Sequence, residues 1–322
     1  MNNKKQIQTN HLNECTTHQS LRQHSSWKNI DNLSIRMKEI EKSNEKYIKP
    51  YIPFVLRLDG KKFSKFTKGF MKPFDDIFVK AMVSTMNDLL IEFNAMTAYT
   101  HSDEISLIFS NVCSQDEYDN KINNKCHIFN GRLMKLCSIT AGYCSTRFCH
   151  HIKNQMKNRQ TEYDDKRSIK IILEKLNNPQ FCFDSRILIF EEKKEELLDH
   201  MIWRSIKDSE RNCISNYGQQ YIGHENIFGL KPQEIVDKLS QNNILWNGIP
   251  FHLKYGIYAK KEKYIKYVIY NCENKKVTRT RVKNFCFKIE KNDEMMKLLL
   301  EPYITHNIED KILSFEILDY NI

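Results

Sequence analysis

Apolar and polar positions along the first third of the chain fall into two alternating periods, and the points where the period changes mark the elements. Leu33, Ile35, Met37 and Ile40 have the spacing of a short helix, with Ser34 available near its start. Pro53-Phe-Val-Leu-Arg-Leu58 is a nearly continuous apolar run that stops at Asp59-Gly60, which predicts a buried strand. Lys72-Pro-Phe-Asp-Asp76 has the form of a helix entry, with acids at the positive end of the helix dipole. From there Ile77, Phe78, Ala81, Met82, Met86, Leu89, Leu90 and Phe93 recur at three- and four-residue intervals and define one buried helical face. Packing explains Met82 and Met86 more simply than a methionine-lined ligand box does. Thr97 to Phe109 then reads as a hairpin with Ser102-Asp103-Glu104 at or near its turn.

Strand, long helix and hairpin form the start of a β-α-β-β unit. This is an α+β arrangement of the ferredoxin-like kind, also used by polymerase palms and nucleotide cyclases, with helices packed on one face of the sheet. It has a chemical consequence. Asp59 and Asp103 would sit on neighbouring central strands about 4.8 Å apart, where two carboxylates repel unless cations share them. Asp-Gly at a strand end is also an ordinary turn dipeptide, but the pairing of two such segments favours a metal site over a structural acidic turn. Gly60 lets the backbone approach a metal or a phosphate closely.

Composition narrows the setting. The 322 residues contain 50 Lys and Arg against 40 Asp and Glu, a formal net charge of +10 that suits a polyanionic partner. Ten cysteines are scattered without CxxC pairs or a regular framework and behind no signal-peptide pattern, so they read as reduced thiols. No apolar run approaches membrane-spanning length. Residues 1–30 are polar, with Lys4, Lys5, Arg22 and Lys28 against Glu14 alone, and the tail they define is expected to run through residue 32. Disordered tail and organelle transit peptide both fit them, so mitochondrial and cytoplasmic locations stay open.

The motifs then carry a family resemblance. Arg57-Leu-Asp-Gly-Lys61 with Phe63, Lys72-Pro-Phe-Asp-Asp76 and Ala98-Tyr-Thr-His-Ser-Asp-Glu104 resemble the tRNA-His guanylyltransferase superfamily, especially its Thg1-like branch, over about residues 33–256. The resemblance implies a palm-domain 3′-to-5′ polymerase. It adds nucleotides to a tRNA 5′ end after activating that end with ATP or GTP, and it assembles as a homotetramer. It further implies that two Mg2+ ions are held by Asp59, the Gly60 carbonyl and Asp103. Asp59, Gly60, Lys61, Lys62, Phe63 and Ser64 would bind the nucleoside triphosphate with Ser102 and Asp103, and Glu104 matches an acid needed for activity. Two metals that clamp attacking and leaving oxygens need carboxylates rather than a covalent nucleophile.

Arg132 and Lys135, three apart and so on one face of a predicted helix, fall where the family has triphosphate-binding cations; a solvated helix face is the plain alternative. Lys72 is a weaker candidate of the same kind. Cys144, Cys149, His150 and His151 cannot all converge on one ion, since the last three are consecutive, and they read as thiols and a basic surface rather than zinc ligands. Residues 151–180 are expected to hold an insertion or loop with a short helical piece. Phe183-Asp-Ser-Arg186 would resume the palm, with Ser185 in place of the family glycine.

Enzymes dedicated to tRNA-His carry His-Ile-Asn-Asn-Leu-Tyr-Asn where this chain reads Glu-Arg-Asn-Cys-Ile-Ser-Asn over 210–216. The missing histidine points to templated repair or editing of truncated tRNA 5′ ends, with Arg211 and Asn212 as candidate substrate contacts. A tRNA-His guanylyltransferase and a noncatalytic RNA-binding relative are the alternatives. Ile244 to Gly256 is expected as a strand and loop within a segment 181–260 that completes the palm and contacts tRNA. Residues 261–322 are expected as a C-terminal extension. There Lys275, Lys276, Arg279, Arg281 and Lys283 alternate with Val277 and Val282, which fits either a phosphate-binding strand or a solvated edge strand.

Overall fold

The computed structural model describes residues 25–158, 166–191, 193–270, 273–304 and 316–317. The described residues divide into two compact units, one ending at Lys46 and the other beginning at Tyr47. The first unit contributes helix α1 (Ser25–Ser43), which begins eight residues before the apolar spacing at Leu33 announces it. The rest of the tail lies outside the described residues.

In the second unit β1 (Phe54–Lys61) leads through a short helix, α2 (Phe63–Phe66), to α3 (Asp76–Glu92), and then to the hairpin of β2 (Thr97–His101) and β3 (Glu104–Phe109). Asp75 caps α3 by accepting from the Ile77 amide at 2.8 Å, as the helix-entry pattern predicts. Helix α4 (Leu133–Asn158) and α5 (Lys166–Asn177) follow, then β4 (Cys182–Ile189). The expected insertion thus contains the end of α4 and all of α5 among its described residues. Next comes α6 (Glu195–Ile202), which continues through a π-turn at Trp203–Asp208 into α7 (Ser209–Tyr221), and then α8 (Pro232–Gln241). Two long strands, β5 (Ile257–Tyr270) and β6 (Glu273–Cys286), precede α9 (Asp293–Leu300) and the short β7 (Glu316–Ile317).

The sheet order is β4-β1-β3-β2-β5-β6-β7, antiparallel throughout. Its first four strands have the order of a split β-α-β unit, so the palm-like α+β fold read from the periodicity is the one observed. Helices α3 and α4 cover the face bearing Phe54, Leu56 and Leu58. Phe63, Phe66, Phe148, Phe181 and Phe183 pack there with ring centroids 4.3–6.0 Å apart. The other face, with Val55, Tyr99 and Ile108, is closed by Leu197, Leu198 and Met201 of α6 and Met295, Leu298 and Leu299 of α9.

Two expectations change. Ile244–Gly256 is not a strand: a 3-10 turn at Trp246–Gly248 and a short helix at Phe251–Tyr255 occupy it, because Pro250 starts the helix and Gly256, at φ 79°, ends it. The boundary expected at 260/261 falls inside β5, since Ala98–Thr100 pair with Ile257–Ala259 and bring that strand into the palm sheet. The zinc alternative gains nothing. Cys144 is buried, and His151 contacts Asp88 at 2.5 Å beside Arg147 at 2.6 Å.

Phe148 is fully buried at the centre of the aromatic cluster. Phe148→Ala should lower unfolding free energy by about 3–5 kcal/mol in denaturant titrations.

Candidate active site

The register of three strands assembles the site. Val55, Arg57 and Asp59 share the face of β1 that turns away from α3 and α4. Val55 lies between Ile108 and Leu188, Arg57 between Ser106 and Arg186, and Asp59 between Glu104 and Asp184. An apolar row, a row with two arginines and a row of three acids therefore succeed one another toward the strand ends. Like charges directly opposite each other destabilise a sheet, so the acid row depends on nearby cations.

Those cations are arginines. Arg57 pairs with Glu104 and stands 3.8 Å from Asp59 Oδ2. Arg186 lies 3.0 Å from Asp184 Oδ1 and 3.7 Å from Asp59 Oδ2. Arg204, carried on the π-turn and placed 5.1 Å over the Trp203 ring, pairs with the other oxygen of Glu104 and with Asp208. Asp208 also holds Arg211 at 2.5 Å. Burial, with Arg57 nearby, pulls the Arg204 pKa down, and the same two causes push His200 to about 4, so that imidazole is neutral.

Asp103 has a different environment. Its main-chain carbonyl accepts from the Gly60 amide at 3.1 Å, which ties the hairpin turn to the end of β1. Its carboxylate accepts from the Ser102 hydroxyl at 3.1 Å, but it has no ion pair among the described residues. Burial first, then the charge of Asp59, raises its pKa, against the hydrogen bonds of its own amide and of Ser102 and the charge of Arg57. Asp59, Asp103 and the Gly60 carbonyl are hard oxygen donors of the kind Mg2+ takes, and a divalent ion would relieve the repulsion between the two acids. No cluster of three or more His, Cys, Asp or Glu side chains among the described residues is arranged to hold a metal. The donor set fits an ion that shares its shell with substrate phosphates.

Beside Asp103 opens a cleft of about 410 Å³. It is lined by Ser64 and Thr67, Lys72 and Phe74, Ser102 and Asp103, and Asn216 and Gln219 of α7. That volume accommodates a nucleotide-sized ligand.

Asp59, Gly60, Ser64, Ser102, Asp103 and Lys72 are therefore brought together around the acids and the cleft. Lys61 and Lys62 lie exposed on the same turn, Lys62 at φ 67°. Phe63 is a core residue whose ring edge reaches the cleft. A Cβ on Gly60 would stand 2.5 Å from that ring, so packing alone requires glycine there. Glu104 is enclosed by two guanidinium groups and offers no open carboxylate.

Four expected contact residues, Arg132, Lys135, Arg211 and Asn212, are not among those that line the cleft. Arg132 bridges to Tyr47, and Lys135 lies 5.2 Å over the Phe129 ring. The nearby His127 ring packs on Phe54 at the start of β1. Asp59 is five residues further along that strand, about 16 Å. Arg211 is engaged with Asp208, and Asn212 sits one helical turn before Asn216. The residues that sequence reasoning missed are Asp184, Arg186, Arg204, Asn216 and Gln219. The i, i+4, i+7 spacing of Asn212, Asn216 and Gln219 could have indicated a polar helix face.

A sequence model of the family described as tRNAHis guanylyltransferase matches residues 34–191. An uncharacterized protein of Acanthamoeba polyphaga mimivirus is 39% identical over 287 residues, which cover 88% of this chain and 94% of that protein. The tRNA(His) guanylyltransferase of Debaryomyces hansenii is 28% identical over 173 residues, 53% of this chain and 54% of the relative. Among solved structures, a bacterial tRNA(His) guanylyltransferase (Thg1)-like protein in complex with ATP superposes with a TM-score of 0.58 at 26% identity, covering 70% of this chain and 87% of that one.

The two neighbouring acids should respond oppositely to neutralisation. A raised carboxylate pKa means that stability falls as pH rises through the range above the ordinary value. Asp103→Asn, which cannot ionise, should raise the melting temperature by roughly 2–4 °C at pH 7, with the difference fading toward pH 4. Added Mg2+ should stabilise the wild type but not this variant. Glu104→Gln removes the charge between Arg57 and Arg204 and should lower unfolding free energy by about 3 kcal/mol. Differential scanning calorimetry and denaturant titration read these outcomes.

Proposed function

Because the chain belongs to the tRNAHis guanylyltransferase family, we propose that it extends truncated tRNA 5′ ends in the 3′-to-5′ direction, templated by the opposite strand, as a repair or editing enzyme. Membership makes it a nucleotidyltransferase of tRNA; the direction, the template and the metals are the proposal. The observation that carries it is Asp103 on the wall of the 410 Å³ cleft, with its main-chain carbonyl tied to the amide of Gly60, the residue after Asp59.

The residues divide the work. The Ser64 and Ser102 hydroxyls can donate to phosphate oxygens, and Lys72 adds a positive charge to the lining. Phe74 and Asn216 border the remaining volume, which suits a base and ribose. Asp59, Asp103 and the Gly60 carbonyl would hold Mg2+, which when bound supplies charge neutralisation and alignment of attacking and leaving oxygens. ATP and GTP are the proposed activating nucleotides, a choice supported by the ATP complex of the bacterial relative. Arg57 and Arg204 fix Glu104, and through it they support the hairpin that presents Asp103.

Preference for templated growth over addition of one G to tRNA-His rests on residues 210–216, which lack the histidine of the dedicated enzymes. That segment lies on α7, and its Asn216 lines the cleft, so a change there bears on the substrate directly. Action in mitochondria, with the cytoplasm as the alternative, and assembly as a homotetramer complete the proposal.

A panel of 5′-labelled tRNAs, full-length or shortened by one or more 5′ nucleotides, tests it. Templated nucleotides should enter the shortened species in the presence of Mg2+ and nucleoside triphosphates. Addition of G to full-length tRNA-His alone would favour the dedicated enzyme instead. Asp59→Ala should lower incorporation at least about 10²-fold while the protein stays folded. Full activity in that variant would refute the assignment. Sequencing 5′ ends of mitochondrial and cytosolic tRNAs after loss of the protein would locate the substrates.

A further inference from the structure

Helix α5 has two faces. Ile172 and Leu176 are buried in the same core as Phe63 and Phe148. Ile171, Glu174, Lys175 and Asn178 recur at three- and four-residue intervals and line a second cavity, of about 420 Å³. This wall belongs to residues 151–180, the segment expected as an insertion, and so comes from outside the catalytic motifs. The facing wall is α2. Lys62, Lys65 and Phe66 border this cavity, whereas Phe63, Ser64 and Thr67 border the cleft beside Asp103. One helical turn therefore has a different cavity on each side.

Lys175 ties the two walls together. Its ammonium donates to the carbonyls of Lys65, Phe66 and Lys68 at 2.8, 3.1 and 2.5 Å. It is half-buried with no carboxylate partner among the described residues, and burial first, then the charge of Lys68, lowers its pKa. An anion in the cavity would stabilise that ammonium. Lys62 and Lys65 are exposed at the same cavity, and Glu174 is the one carboxylate among the described lining residues, which leaves a surplus of two positive charges. Phe66 and Phe181, with ring centroids 4.3 Å apart, supply the buried apolar part of the lining. Asn178 and Gln180 add carboxamides, which both donate and accept hydrogen bonds.

Aromatic surface, carboxamides and surplus cations in a cavity of this volume match a heterocyclic base that carries one phosphate, whose charge of about −2 near neutral pH balances the surplus. A triphosphate brings more negative charge, and the described lining holds no pair of carboxylates to bind Mg2+ for it. We propose that the cavity between α2 and α5 is an effector site for a nucleoside monophosphate, and that its occupation restrains nucleotide use at the cleft through α2. A ligand that holds Lys65 and Phe66 toward α5 also holds Ser64 and Thr67 on the other side of the same turn. Activation of a tRNA 5′ phosphate by ATP releases pyrophosphate and leaves an adenylyl group, and the attack that displaces this group releases AMP. The effector is thus a by-product of the proposed reaction. The binding site stands on its own lining, whereas the effect on catalysis rests on the tRNA reading above.

Equilibrium dialysis of labelled AMP against the full chain, without Mg2+ or tRNA, tests the site. Two variants at exposed positions probe it, Ile171→Trp to fill the cavity and Lys65→Glu to reverse one charge, each checked for folding by circular dichroism. Binding should be saturable in the wild type, lost in Ile171→Trp and weakened at least about tenfold in Lys65→Glu. Adenosine and ribose 5-phosphate, which each lack one half of the ligand, should compete poorly. In incorporation assays on a shortened tRNA, AMP should inhibit the wild type without being displaced by ATP, and Ile171→Trp should keep its activity while losing the inhibition. AMP binding that neither variant changes, or inhibition that ATP fully relieves, would put AMP in the catalytic cleft and overturn the proposal. Absence of saturable AMP binding to the wild type would overturn it too, as would ribose 5-phosphate competing as well as AMP. A wild type whose AMP binding is sensitive to Ile171→Trp but which incorporates no nucleotide would refute the tRNA reading and the feedback, and leave the binding site standing.

Discussion

The antiparallel clamp on β1 is the constraint from which the rest of the site follows. With β3 on one side and β4 on the other, a slip of one residue would turn Leu58 outward and drive Asp59 in among the phenylalanines under α3 and α4. The apolar set Phe54, Leu56 and Leu58 resists that slip through the hydrophobic effect, because each of the three is fully buried. Gly60 finishes the alignment: its amide bonds the Asp103 carbonyl, and its lack of a side chain admits the Phe63 ring. Core packing thus fixes the positions of polar groups that do not themselves belong to the core.

Within the site the acids do unlike things because their neighbours differ. Glu104 is compensated on both oxygens by arginines and stabilises the strand ends. Asp103 is half-buried next to a like charge, with only hydroxyl and amide partners, and its ionised form is costly to the fold. A carboxylate kept under those conditions is a local sacrifice of stability, of the kind found where chemistry needs a charge. Both residues sit at one hairpin, so the fold-supporting acid holds the chemically exposed one in place.

Much of this was legible in the chain. A nearly continuous apolar run located β1, three- and four-residue spacing located α3, the β2-β3 hairpin was read after it, and carboxylates at strand ends singled out Asp59 and Asp103. What could not be read was pairing across distance. Asp184 and Arg186 meet Asp59 and Arg57 only through a register set by packing, and nothing local marks Arg204 as the partner of Glu104. Helical spacing predicted one face for Arg132 and Lys135, but Arg132 is extended just before α4, and spacing could not say which end of the sheet the pair would reach. The charged run Lys260-Lys261-Glu262 carries no local sign of a strand inside the sheet. Instead Lys260 is fully buried, donating to the Thr97 hydroxyl and to the Leu298 and Glu301 carbonyls, and burial pulls its pKa to about 7.

The same sheet gives the molecule an electrical polarity. Asp59, Asp103, Glu104 and Asp184 gather at the end where β1 finishes and β3 begins, whereas Arg132 and Lys135 lie toward the start of β1 and the outer, lysine- and arginine-bearing parts of β5 and β6 extend beyond that same end. A polyanion approaching the acids alone would be repelled unless metal ions neutralised them. One long enough to engage the far end gains favourable contacts there without disturbing the site. Because β2 joins the hairpin turn to β5 by direct strand pairing, the distance between these two regions is set by backbone hydrogen bonds rather than by a flexible linker.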